Sequence, residues 1–306
     1  MINTMEKLHI GIDLGGTKIE AVVLDSNLNT LFRHRILTES QKGSEHVLCQ
    51  IENIYLQAKN SIKDKKHTLG VGTPGSLSKS TGLLRNSTIS CQNGLPIDSL
   101  IEKKLDHSLA IENDANCFAL AESHMGAGKN YDLVFGIIMG TGCGGGFIHN
   151  GKLRTGPQRL TGEWGHSVIN PNGPKCFCGK KGCVSTYISG TGLEMMINEN
   201  LKINTSAEKF LNQTSYSQKE EDILNRFYEY FGLSLANIIN TIDPDIVILG
   251  GGLSNHQHLY TKGLQMVYKN IFCEDPNTPI LKNILGDSAG VIGAAIIGKK
   301  EFMKNG

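Results

Sequence analysis

The densest chemistry in this 306-residue chain is CFCGKKGC, Cys176 to Cys183, where C-x-C-x4-C spacing puts three thiols in eight residues. Three thiolates need one more donor to close a tetrahedral site. His166, ten residues before Cys176 in TGEWGH, is nearer in sequence than His149 or His124 and follows a glycine. A Cys3His set has no open position, which is the structural rather than the catalytic kind of zinc site. The spacing is not the C-x-x-C of a redox pair, and an iron–sulfur cluster would more naturally use a fourth cysteine. A zinc ion on Cys176, Cys178, Cys183 and His166 is expected to brace the loop that carries Glu163. That carboxylate lies three residues before His166 and so on the same side of a turn or helix. It can accept hydrogen bonds from vicinal hydroxyls of a sugar; the plainer reading is a surface glutamate, which its glycine and tryptophan neighbours disfavour.

Three glycine turns offer a second kind of chemistry. DLGGTK (Asp13 to Lys18), GTGCGGG (Gly140 to Gly146) and GGGLSN (Gly250 to Asn255) each follow an apolar run. Backbone N–H groups in such turns carry partial positive charge and suit phosphate oxygens. Gly15, Gly16, Thr17 and Lys18 add a hydroxyl and an ammonium to the first. Gly140, Thr141, Gly142 and Gly144 occupy the corresponding place in the second. Gly250, Gly251, Gly252 and Asn255 form the third, where an adenine ring can lie flat on backbone. None fits the Walker or dinucleotide glycine patterns. Singly each reads as a tight turn; together they point to an ATP cradle. Asp13 reads either as a turn residue or as a Mg2+ contact, direct or through water, because a carboxylate beside phosphates needs an intervening cation.

Asp114, in ENDANCFALAES, is delivered by a strand to the mouth of a helix, where free N–H groups and the dipole favour its ionised form. Aspartate there is commonly a helix cap. Phosphoryl transfer from ATP to an alcohol, however, needs one carboxylate to accept or orient the hydroxyl proton, and Asp114 has that chemistry. Asn113 beside it is placed to fix a neighbouring hydroxyl.

The elements that must position these groups read as alternating strands and helices. Residues 8–37 and 133–156 share one pattern: apolar strand, glycine-threonine turn, second strand, short turn, third strand. Asn150-Gly151 is a strong hairpin signal and Ser26 to Asn29 a weaker one. Helical spacing is expected at Val47, Ile51, Ile54 and Leu56. A long amphipathic helix is expected over 221–242, followed by the buried strand of DPDIVILGGGLSN, and a final helix over 287–302. The glycine blocks at strand ends predict turns that approach a ligand in a shared cleft between two α/β lobes.

Composition limits the function classes. With 39% hydrophobic and 19% charged residues and a net charge of +1, the chain is globular and has no overall field for nucleic acid or an acidic membrane. The eight cysteines, five of them isolated, do not form a disulfide scaffold. No apolar run suits a signal peptide or a membrane span, so cytoplasmic residence is the expectation.

In combination, GIDLGGTK, PGS, ENDAN, GTGCGGG, TGEWGH, CFCGKKGC, YISGTG and DPDIVILGGGLSN resemble the ROK family of sugar kinases and repressors, in family order over nearly the whole chain. The spellings GEWGH and SGTG look most like fructokinase and mannokinase members; ENDANCFALAE and GGGLSN are shared with N-acetylglucosamine kinases. The resemblance implies a two-lobed, actin-like ATPase or hexokinase fold (ribonuclease H-like, α/β) with an interdomain cleft. A smaller lobe would comprise residues 1–117 and 290–306, and a larger one residues 118–289 with the zinc loop. It also implies Mg-ATP as phosphoryl donor and a hexose, fructose or a relative, phosphorylated at the 6-hydroxyl. An N-acetylglucosamine or N-acetylmannosamine kinase is the alternative. Asp114 becomes the base, and Gly75, Asn86, Asn113, Glu163 and His166 fall on the sugar side. A homodimer is implied as well. One departure stands out: where the family reads G-C-x-E after the third cysteine, this chain has Ser185, a hydroxyl in place of a carboxylate that accepts two hydrogen bonds near the sugar's C1–C2 side. A sugar-responsive repressor of the same family would carry an N-terminal DNA-binding segment, and only ten residues precede GIDLGG, so direct DNA binding is not expected. A non-catalytic sensor would lack the base, yet Asp114 is present.

Overall fold

The computed structural model describes residues 7–299. In chain order the first elements are β1 (Leu8–Leu14), β2 (Lys18–Leu24), β3 (Thr30–Leu37), α1 (Ser44–Ser61), β4 (His67–Thr73), β5 (Ser76–Leu77) and β6 (Leu84–Arg85). Next come α2 (Ile97–Leu105), β7 (Ala110–Asn113), α3 (Asp114–Met125), β8 (Leu133–Met139), β9 (Cys143–His149) and β10 (Lys152–Leu153). The remainder comprises α4 (Ser185–Ile188), α5 (Gly190–Leu201), α6 (Ala207–Leu211), α7 (Gln218–Ile242), β11 (Ile246–Gly250), α8 (Lys262–Asn270), β12 (Ile280–Lys282) and α9 (Ala289–Ile297). The last residues of the helix expected over 287–302, from 300 on, lie outside the described residues, as do residues 1–6 and 300–306 of the expected smaller lobe. No described helix is long and apolar enough to cross a membrane.

Contacts divide the chain into two compact units. One holds the residues up to Ala121, Gly151–Thr161 and those from Asp287 on; the other holds Glu122–Asn150 and Gly162–Gly286. The pattern shared by residues 8–37 and 133–156 becomes one strand plan used twice. The two five-stranded sheets have the orders β3-β2-β1-β4-β7 and β10-β9-β8-β11-β12. In each, the leading strand pairs antiparallel with the next and parallel with a later one. This is the mixed α/β arrangement that a repeated strand–turn–strand pattern followed by helix-linked strands predicts. Asn150 and Gly151 both take positive φ, 50° and 68°, as a tight hairpin turn with the right twist requires.

Local chemistry sets the element ends. α7 begins at Gln218, earlier than the apolar pattern alone indicates, because Ser217 and Glu220 form a reciprocal capping box. It stops where Asp243 turns left-handed ahead of Pro244. On α1, Val47, Ile51 and Ile54 are buried as expected, with Leu48, Tyr55 and Ala58, but Leu56 is 45% exposed. Two residues past Ile54 is about 200° around a helix, so Leu56 must face away from the core.

Two strand glycines bring α9 onto the first sheet, and a glycine of α9 brings that helix against α3. A Cβ on Gly11 of β1 would collide with the Val291 carbonyl, one on Gly70 of β4 with the Ala294 carbonyl, and one on Gly293 of α9 with the Cys117 carbonyl. Backbone therefore packs directly on backbone, which only glycine permits. Gly70→Ala is expected to destabilise the chain by about 3 kcal/mol, the upper range for overpacking where neither backbone can give. Denaturant unfolding of the variant checks this, and a midpoint equal to wild type would refute the packing role.

Candidate active site

In the first unit the β1–β2 turn holds Gly15, Gly16 and Thr17. The Gly15 N–H donates to the Lys18 carbonyl at 3.0 Å and is not available to a phosphate. The carbonyls of Gly15 and Gly16 accept from the Thr38 and Ser40 hydroxyls, which fixes the turn. Lys18 is half-exposed and lies 3.9 Å from Asp287.

Asp13, one residue before the end of β1, is half-buried. Glycines make room for it: a Cβ would stand 3.3 Å from its Oδ1 at Gly72 and 2.9 Å from its Oδ2 at Gly290. Strand register sets Asp13 opposite Glu20, and Glu20 opposite Arg35. The Glu20 carboxylate, 3% exposed, pairs with both Arg33 and Arg35. Burial, and then the charges of Asp114 and Glu20, push Asp13 up to about 7. A divalent cation beside Asp13 would relieve that repulsion, so the chemistry of this corner fits Mg2+.

β7 ends at Asn113 and α3 starts at Asp114 without a linker. The cap is Asn113: its Oδ1 accepts from the N–H groups of Ala115 at 2.9 Å and Asn116 at 3.4 Å, and Asp114 Oδ1 shares the Ala115 N–H at 2.8 Å. Asn113 Nδ2 donates to the Gly75 carbonyl at 3.0 Å, and Glu112 Oε1 accepts from the Asn113 N–H and the Asn116 amide. With the cap supplied by its neighbour, Asp114 is half-buried in the first helical position, where the helix dipole favours its charge. Gly75, at φ 82°, packs against Arg85 and Ser87 and brackets the exposed Asn86, at φ 58°. Gly75 and Asn113 line a shallow recess with Thr73, Glu112 and Arg159. Arg159 was not legible as a site residue, because only the fold carries the 151–161 segment into this unit.

In the second unit a cavity of ≈ 410 Å3 opens beside the β8–β9 turn. Of the glycine-turn residues, Gly140, Thr141, Gly252 and Asn255 line it. The others serve the frame: Gly250 closes β11, Gly144 lies in β9, and a Cβ on Gly251 would stand 2.5 Å from the Met139 carbonyl. Gly142 accepts from the Gly140 N–H across the turn at 3.0 Å. The N-terminus of α5 completes the wall with Gly190 and Thr191, the latter's hydroxyl donating to the Thr141 carbonyl at 2.7 Å. Glu194, Glu208, Leu211, Leu253 and His256 line the rest. Sequence reasoning missed these, since α5, α6 and the turn after β11 meet only in the fold. The one readable signal was the SGTG start of α5, whose Ser189 hydroxyl caps the helix by accepting from the Gly192 N–H.

The thiols and imidazole converge as the spacing predicts. The ligand atoms of His166, Cys176, Cys178 and Cys183 all lie within 4.8 Å of one another. Cys176 Sγ is 3.5 Å from His166 Nδ1, and Cys178 Sγ is 3.6 Å from Cys183 Sγ. Zn–S bonds of about 2.3 Å in a tetrahedron require S···S edges of about 3.8 Å, so the four donors fit zinc. Burial and the neighbouring thiols push Cys183 up to about 12, a value that a cation would bring down. Glu163 and His166 begin and end one short 3-10 helix, and this helix carries the buried Trp164. A three-residue step in such a helix puts Glu163 and His166 on one side. The Glu163 carboxylate has no hydrogen-bond or ion-pair partner among the described residues. Ser185 opens α4, buried, with its carbonyl accepting from Ser189; its Oγ is 4.0 Å from where a Cβ on Gly142 would stand.

Comparison with known proteins gives a consistent answer. The ROK family model matches residues 9–301. The chain is 35% identical to an N-acetyl-D-glucosamine kinase of Haemophilus influenzae, over 95% of this chain and 99% of that protein. A ROK hexokinase from Thermus thermophilus superposes with a TM-score of 0.87 at 29% identity, covering 96% of this chain and 98% of that one. A ROK glucokinase from Streptomyces griseus, solved with glucose and AMPPNP, superposes with a TM-score of 0.78 at 27% identity, covering 96% and 99%.

Proposed function

Because this chain belongs to the ROK family, and with it to the actin-like sugar kinases in fold, we propose that it transfers the γ-phosphoryl group of Mg-ATP to the 6-hydroxyl of N-acetyl-D-glucosamine. The observation that carries the sugar is the 35% identity, along almost the full length of both chains, to an N-acetyl-D-glucosamine kinase. That likeness supports the amino sugar better than the fructose suggested by GEWGH and SGTG. The physical reason is that Gly190 and Thr191 of SGTG line the second unit's cavity, so that spelling reports on the nucleotide and not on the sugar.

In this reading Asp114 accepts the proton of the sugar hydroxyl as the hydroxyl oxygen attacks the γ-phosphorus; the bond to the β,γ-bridging oxygen breaks and ADP leaves. Asn113, through Gly75, holds the carboxylate-bearing helix start in place. Glu163 accepts from sugar hydroxyls, while Ser185 leaves the C1–C2 side, where the acetamido group sits, without the family's carboxylate. The cavity beside Gly140 and Gly252 takes the nucleoside, with the free N–H groups of the glycine turns left for phosphate oxygens. Asp13 would hold the magnesium ion, which when bound neutralises triphosphate charge. Cys176, Cys178, Cys183 and His166 would hold zinc, whose contribution is a fixed loop. A cytoplasmic homodimer completes the reading, and sedimentation of the purified chain tests the dimer.

ADP release over a panel of fructose, mannose, glucose, N-acetylmannosamine and N-acetylglucosamine tests the substrate. N-acetylglucosamine is expected to lead in kcat/KM by at least about tenfold, the scale on which one well-formed pocket contact discriminates. Fructose equal to or above it would overturn the assignment.

A further inference from the structure

One residue of the second unit's cavity is explained by neither glycine turn. His256 lines the cavity immediately after the Gly252–Asn255 turn. Its Nε2 lies 2.6 Å from the hydroxyl oxygen of Tyr228, which is buried in the core on α7. A phenol hydroxyl at that depth needs an acceptor for its proton, and His256 Nε2 is the partner it has. Tyr228 therefore donates to Nε2, which leaves the ring proton on Nδ1. The two rings are parallel to within 2°, so the imidazole plane is fixed as well as its tautomer. Burial, and then the nearby His258, push His256 down to about 4, and the ring is neutral at physiological pH.

The result is a preorganised N–H donor. No hydrogen-bond partner for Nδ1 exists among the described residues. The charged side chains lining the cavity are Glu194 and Glu208, with no lysine or arginine. Such a lining repels phosphate and suits the uncharged nucleoside end of a nucleotide. Glu194 is oriented by the Ala207 N–H, which donates to its Oε1 at 3.0 Å. Leu211 and Leu253 supply apolar walls of the kind a flat base needs.

We propose that the Nδ1–H of His256 donates a hydrogen bond to a ring nitrogen of the adenine base, making His256 a nucleotide-specificity residue and Tyr228 the positioning residue that fixes its tautomer. This rests on the reading of the cavity as the nucleoside site of an ATP-dependent kinase. A base whose corresponding ring nitrogen is replaced by C–H cannot accept the bond and is discriminated against.

The test uses the full chain with saturating sugar and ATP, 1-deaza-ATP, 3-deaza-ATP or 7-deaza-ATP as donor. Wild type is expected to lose roughly 3- to 10-fold in KM for one of the three analogues, the scale of a single neutral hydrogen bond. His256→Phe, checked for folding by its melting temperature, should raise the KM for ATP by a similar factor and no longer distinguish that analogue. His256→Asn keeps an N–H at the position of Nδ1 and should recover most of the affinity. Tyr228→Phe should give a smaller rise. In each case kcat at saturating ATP and the KM for sugar should stay within about twofold, because the contact is uniform binding. The proposal is overturned if His256→Phe binds ATP as wild type does, or if every analogue penalty survives in that variant. Should wild type turn over no sugar, the kinase reading fails by itself, and calorimetric Kd values for the same nucleotides and variants still decide the role of His256.

Discussion

Asp114→Asn is expected to lower kcat about 100- to 10,000-fold, the range general-base catalysis contributes, while the KM for ATP stays near wild type. The substitution keeps the volume and the hydrogen-bonding shape of the side chain and removes its capacity to take a proton. It should not unfold α3, because the helix cap is the Asn113 side chain, which accepts from the Ala115 and Asn116 N–H groups, and an asparagine Oδ1 can still accept from the Ala115 N–H as Asp114 does. The melting temperature is therefore expected to hold, which separates loss of the base from loss of structure. Asn113→Ala should behave in the opposite way, since it removes both the cap and the bond to the Gly75 carbonyl. Its cost is about 1 kcal/mol of stability, with a smaller fall in kcat. Full turnover by Asp114→Asn would remove this residue from the chemistry.

Loss of the zinc ion proposed for the Cys3His site is the second large expected effect. The segment from Gly162 to Val184 contains one short 3-10 helix, two isolated bridges, Val168 with Cys183 and Lys175 with Lys181, and turn hydrogen bonds such as Cys176 N–H to the Lys180 carbonyl at 2.8 Å, but no strand among its described residues. A loop held by turns and isolated bridges buries little apolar surface of its own to offset its chain entropy. Four donors closing on one ion would supply that order, and binding free energy at such a site acts as folding free energy. One equivalent of zinc per chain is expected by elemental analysis. Stripping it with a strong chelator, or replacing Cys183 with Ala, should lower the melting temperature of the second unit by about 10 °C. The KM for sugar should rise more than the KM for ATP, because His166 is three residues from Glu163 and the cavity proposed for the nucleoside draws no residue from this loop. Trp164, the one tryptophan of the chain, is 6% exposed between the two and gives a fluorescence readout of the loop. A chain that purifies without zinc and melts unchanged after Cys183→Ala would refute the structural metal.

What the sequence made legible was what local spacing encodes. The cysteine cluster could be read because its three thiols fall in eight residues and His166 is close by. The paired hairpins could be read because strand, glycine turn and strand are contiguous in each copy. Where distant segments decide, the reading failed in identifiable ways. Asp114 and Asn113 compete for one cap, and no pattern says that the asparagine takes it. Nothing local to Gly11 and Gly70 says that a helix near the far end of the chain sits on them. His256 and Glu194 carry no motif, since the cavity they share is assembled from α5, α6 and the turn after β11. SGTG, one of the two spellings that look like a fructokinase, opens α5 and lines the second unit's cavity, a position that its letters do not reveal.

The most direct test of the central claim is phosphorus NMR of purified chain incubated with Mg-ATP and N-acetylglucosamine. The expected result is stoichiometric loss of the γ-phosphate signal with growth of one sugar monophosphate, whose coupling places the phosphate on the 6-hydroxyl. Asp114→Asn run in parallel should leave ATP intact. Intact ATP with the wild-type chain, or a sugar phosphate formed equally well by Asp114→Asn, would contradict the account.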